Sequence, residues 1–150
     1  MPLPLPLPLP FLRCAMKQFD HEKLDVYAKA IEFVLLANDV VEQLPRGRGY
    51  LADQLQRAAT SVPLNIAEGA GEFMPAEQAR FYRMARRSAT ESAAVLDVCR
   101  RLGLVEDERY LTGRDLLLEV VAMLVRMIRN LGEERGQGQR QGQGQGEDTP

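Results

Sequence analysis

Through the middle of the chain, apolar residues recur at intervals of three and four, the spacing of one face of an α-helix. Four segments carry this pattern. The first spans about Glu22 to Leu44, with Asp20 as its expected N-cap and Pro45, Gly47 and Gly49 at its exit. Its polar stripe is Asp25, Lys29, Glu32, Asp39 and Gln43. Nearly everything else in it is apolar, an arc of about 200° where one core face needs ~100°. The surplus predicts a second buried face, against another subunit.

The second segment runs from near Leu51 to about Glu68, with Leu51, Leu55, Ala58, Ala59, Val62 and Ile66 facing in. The third opens at Pro75, a favoured first-turn residue, with Glu77 beside the positive helix end. It closes at Leu102, with Gly103 as C-terminal cap and an inner stripe of Phe81, Ala85, Ser88, Ser92, Val95, Cys99 and Leu102. The fourth covers about Asp107 to Leu131, with Leu117, Val120, Val121, Leu124, Ile128 and Leu131 inward. Short connections make consecutive helices antiparallel neighbours. The expected fold is all-α, an up-down-up-down four-helix bundle.

One stretch breaks the pattern. TSVPLNIAEGAGE, Thr60 to Glu72, puts a proline inside the second helix. Pro63 cannot donate to the Ala59 carbonyl and its ring crowds that turn, so a kink is expected. Asn65 and Glu68 are expected in partly buried polar contacts, Glu68 with Arg87 or another arginine of the third helix. Gly69 and Gly71 then mark a helix end and turn. A phosphate-binding loop is the competing reading, but these glycines follow a helix rather than a strand.

Composition divides the chain into three. Residues 19–131 form the bundle. Residues 1–18 open MPLPLPLPLP, where alternate prolines forbid a helix, and read as a disordered Pro-Leu-rich tail. Met16 opens the organised sequence and is the expected physiological start. Residues 132–150, rich in Gly and Gln, read as a second disordered tail. No run suits a membrane span, and a cytoplasmic protein is expected.

The inventory for catalysis is thin. The sole histidine, His21, falls at the start of the first helix, and the cysteines are Cys14 and Cys99. A di-iron site needs two Glu-x-x-His pairs, and zinc needs more Cys and His than these. Cys99 reads as a small buried apolar residue. No enzyme activity, cofactor, metal or small-molecule substrate is expected.

Arginines remain. The third helix carries Arg80, Arg83, Arg86, Arg87, Arg100 and Arg101 against Glu77, Glu91 and Asp97, a net of +3 in a chain of net −2. Arg87 and Glu91 have i,i+4 spacing and could pair. The arginines are either a solvated face with intersubunit ion pairs or a patch that contacts phosphates.

QLQRAATSVP (54–63), SVPLNIAEGAGE (61–72) and ARFYRMARRSATES (79–92) resemble the four-helix-bundle family that includes proteins encoded in intervening sequences of bacterial 23S ribosomal RNA genes. The accessory variability determinant of diversity-generating retroelements is a relative. The resemblance covers about Phe19 to Leu131. Its core motif includes Pro63, Asn65, Glu68 and Gly69; Glu91 lies in the third quoted segment. It implies a protomer that assembles into a ring-like homo-oligomer, commonly a pentamer, without known catalytic activity. In the retroelement relatives the bundle binds a reverse transcriptase and nucleic acid through basic surfaces. Those relatives are notably basic, whereas this chain is slightly acidic. The expected function is a non-enzymatic oligomeric scaffold. The alternative is a nucleic-acid-binding accessory protein that partners a reverse transcriptase or structured RNA.

Overall fold

Each of the four periodic segments is helical. The computed structural model describes residues 17–142, with side chains described through Gly132. After a 3-10 turn at Asp20–Lys23 come α1 Asp25–Gln43, α2 Gly49–Ala70, α3 Pro75–Arg101 and α4 Asp107–Gly142; there is no strand among the described residues. The expectations for residues 1–16 and 143–150 lie outside the described residues.

α1 packs on α2, α2 on α3, α3 on α4, and α4 back on α1, while among the described residues the backbones of α1 and α3, and of α2 and α4, stay apart. The helices thus stand at the corners of a square. Neighbours along the sides are antiparallel because their connections are short, so the helices on each diagonal are parallel.

The core fills the square. Phe33, Leu55, Ile66, Leu96 and Leu124 are almost wholly buried, each contributing about 1.5–3 kcal/mol by removal from water. The inner stripe expected for α2 is buried throughout. On α4, Leu117, Val120 and Leu124 are buried and Val121, Ile128 and Leu131 half-buried. Tyr110 and Gly113, absent from the expected stripe, are buried as well. A side chain at Gly113 would meet Leu36 Cδ2 at 3.0 Å and Leu96 Cδ1 at 3.1 Å, so this glycine lets α4 approach both α1 and α3.

α3 departs from its expected stripe. Ala85, Ser92, Val95 and Cys99 are buried, but Phe81 and Ser88 are half-buried and Leu102 is exposed. Tyr82, Ala89 and Leu96 are buried instead. The cause is that α3 serves two neighbours, so its buried arc is wider than one stripe and turns towards α4. Leu102 has left the helix and acts as its cap residue.

Two helix boundaries also differ. Asp20 does not cap α1. It starts the 3-10 turn, and Leu24, with extended backbone (φ −88°, ψ 127°), precedes α1. The turn is held by the Phe19 N–H donating to the Glu22 carboxylate at 3.1 Å and by His21, stacked on Phe19 and edge-on to Tyr27. These aromatic contacts delay the helix by a turn. At the other end, the α4 backbone stays helical to Gly142, past the expected end at Leu131. Residues 132–142 carry no apolar stripe, so the periodicity that marks the other helices cannot mark this extension.

The α3 exit follows expectation in detail. Gly103 adopts φ +72°, a conformation cheap only for glycine. Its N–H donates to the Arg100 carbonyl at 2.9 Å, and the Leu104 N–H donates to the Cys99 carbonyl at 2.8 Å. This is a Schellman closure, with half-buried Leu104 folding back onto the core.

Candidate functional site

The Thr60–Glu72 joint is a packed seam between α2 and α3. α2 runs unbroken through Pro63, which is buried with Ala59 and Val62. Asn65 Nδ2 donates to the Ser61 carbonyl at 2.8 Å and to Ser61 Oγ at 2.9 Å. Ser88 Oγ donates across the seam to Ser61 Oγ at 2.9 Å, and Ser92 Oγ donates to the Ser88 carbonyl at 2.8 Å. Short hydroxyls and one amide thus satisfy each other where two helices come close. Among the described residues, no buried side-chain nitrogen or oxygen lacks a partner.

Gly69 closes the seam. A Cβ there would lie 2.6 Å from Tyr82 Cε1 and 2.9 Å from Tyr82 Cδ1. Gly69 thus makes room for an aromatic ring. Burial pushes the Tyr82 phenol above its ordinary pKa.

Glu68 is exposed and makes no ion pair with Arg87 or any other described residue. The expected contact fails on register. Ser61 meets Ser88 and Gly69 meets Tyr82, so Glu68 stands level with about residue 82 on α3. Arg87 is five residues further along, roughly 7–8 Å of helix rise away. Arg87 and Glu91 are both exposed and do not form the expected i,i+4 pair.

The six arginines separate into two groups. Arg80 pairs with Glu77 at 3.1 Å and lies over the Phe81 ring. Arg100 pairs with Asp107 at 3.3 Å and lies over Tyr110, and Arg101 pairs with Asp97 at 3.4 Å. All three pairs are solvated and worth only ~0–1 kcal/mol each. Arg83, Arg86 and Arg87 have no acidic partner among the described residues.

Across the square, α1 shows the opposite sign. Asp25, Glu32 and Asp39 are exposed, seven residues apart and without a basic partner among the described residues. Lys29 beside them is held by Glu119 of α4 at 3.2 Å; this contact, a hydrogen bond first and charge attraction second, raises the Lys29 ammonium pKa. Leu35 lies in the acidic stripe with 63% of its surface exposed, and Val98 on the outer face of α3 with 45%. Leu35 is part of the surplus apolar arc of α1. Its width is legible in the sequence, but which residues stay outside depends on the positions of α2 and α4. The Lys29–Glu119 pair was missed because its members are far apart in the chain.

Other chemistry is sparse. Cys99 is buried, and burial pushes its thiol pKa up. Among the described residues, no group of three or more His, Cys, Asp and Glu side chains could hold a metal ion, and no helix is long and apolar enough to cross a membrane.

The family described as 23S rRNA-intervening sequence protein matches the chain over residues 22–126. No curated protein matches it.

Proposed function

The chain belongs to the 23S rRNA-intervening sequence protein family, and from that premise we propose that it is a non-enzymatic, oligomeric scaffold of the cytoplasm. Copies assemble through their outward helix faces into a ring, a pentamer being the size the resemblance implies. The observation that carries this reading is the exposed Leu35 and Val98 on opposite corners of a bundle whose own core is already filled. A packed protomer has no internal use for these side chains, whereas a second protomer does. The seam around Pro63, Asn65 and Gly69 then serves to fix the distance between α2 and α3, and with it the faces each copy presents. Sedimentation velocity at micromolar concentration tests the reading: a multiple of 16.8 kDa is expected, and a monomer overturns it.

A second reading rests on Arg83, Arg86 and Arg87, which have no acidic partner among the described residues. Here the protein is an accessory factor for structured RNA or DNA, related in use to the retroelement determinant and partnered with a reverse transcriptase. Gel shifts with structured RNA and duplex DNA at low salt test it. Binding should weaken steeply with salt and vanish in the Arg83→Glu/Arg86→Glu/Arg87→Glu variant. Unchanged binding in that variant removes the reading.

A further inference from the structure

α1 and α3 occupy opposite corners of the square and run parallel. Their outward faces carry matching charge patterns. On α1, exposed Asp25, Glu32 and Asp39 are three negative charges spaced seven residues apart, while Lys29 is half-buried against Glu119 of α4. On α3, exposed Arg87 and Arg101 are two positive charges fourteen residues apart, the separation of Asp25 from Asp39. Setting Asp25 level with Arg87 therefore also sets Asp39 level with Arg101. The same register brings exposed Leu35 beside exposed Val98. An antiparallel arrangement with Leu35 on Val98 instead keeps one of these attractions, Glu32 with Arg101, and sets Glu42 level with Glu91, two like charges.

We propose that the outer face of α1 docks, parallel, onto the outer face of α3 of a second copy of this chain in this register. The proposal rests on the oligomeric reading above and assigns the two surfaces that meet. Because the faces lie on opposite sides of one protomer, each copy offers one of each. The contact is head-to-tail, and it closes into a ring when the rotation between copies allows. Both helices point the same way in every copy of such a ring, which is the direction the charge register requires. Arg101 is paired with Asp97 within the chain, but that pair is solvated and free to exchange. Arg87 is covered in the assembly and is not a phosphate contact.

Three variants test this by sedimentation velocity, with circular dichroism as the check on folding. Asp25→Arg/Asp39→Arg should reduce the wild-type assembly to the single-chain mass, and Arg87→Glu/Arg101→Glu should do the same. All four changes in one chain should restore the assembly, because the reversed faces match again. A monomeric wild type overturns the oligomeric reading itself. An oligomeric wild type with undiminished charge variants, or without recovery in the fourfold variant, overturns only the assignment of faces. Should a charge variant fail to fold, cysteine cross-linking decides in a Cys14→Ser background. Leu35→Cys and Val98→Cys in one chain should give a ladder of disulfide-linked multimers on oxidation, and each alone should not. No ladder from the double variant overturns the proposal.

Discussion

The α2–α3 seam and the outer face of α1 are built from opposite materials. At the seam, serines, alanines, an asparagine and a glycine bring two helices together, and polar groups such as Ser61, Asn65, Ser88 and Ser92 find partners inside the protomer. On α1, Asp25, Glu32 and Asp39 lack basic partners among the described residues and Leu35 faces water. The first region is finished within one chain, and the second offers groups that a single chain does not use. The difference teaches where to expect folding defects and where to expect assembly defects.

The contrast is sharpest between Ile66 and Leu35. Ile66→Ala should cost the protomer about 2–5 kcal/mol, read by urea unfolding, because it empties a fully buried site. Leu35→Ala should change protomer stability by less than ~0.5 kcal/mol. Its effect should appear as a weaker dependence of Tm on protein concentration. Equal losses at both sites would break the comparison. A smaller but clear effect is expected at Gly69. Gly69→Val must displace the Tyr82 ring and should destabilise by about 1–3 kcal/mol. Gly113→Ala crowds Leu36 and Leu96 at 3.0–3.1 Å, and a helix-propensity gain of about 1 kcal/mol offsets part of that, so its Tm should fall less than that of Gly69→Val. Ser88→Ala removes the bond across the seam and should cost about 0.5–1.5 kcal/mol. Smallest of all, Glu68→Ala should leave urea stability within ~0.5 kcal/mol, since its carboxylate is exposed and unpaired among the described residues.

That last outcome reverses what the local sequence suggests, and the reason is instructive. Helical spacing places Glu68 near the α2 stripe but says nothing about which residue of α3 stands opposite. Only the register set by Ser61 with Ser88 and Gly69 with Tyr82 shows that Arg87 is out of reach. Periodicity sufficed for the four helices and the α2 core, because those depend on neighbours three and four residues away. It also sufficed for the Gly103 closure, which is local. It failed on α3, where Tyr82 and Leu96 are buried in place of Phe81 and Leu102, because the buried arc depends on two partner helices at once. The start of α1 was hidden by stacking among Phe19, His21 and Tyr27. Of the arginines, the sequence names the set, but pairing with Glu77, Asp97 and Asp107 divides it.

The square of helices also orders the folding reaction. Three of its sides join helices adjacent in the chain, so they can zip as local hairpins with little loop entropy to overcome. The fourth side, α1 against α4, must gather segments separated by the whole length of α2 and α3. We therefore expect it to close last, with the Lys29–Glu119 pair as its outer latch. The first helix to be made thus gains its second neighbour only when the last one, α4, is in place.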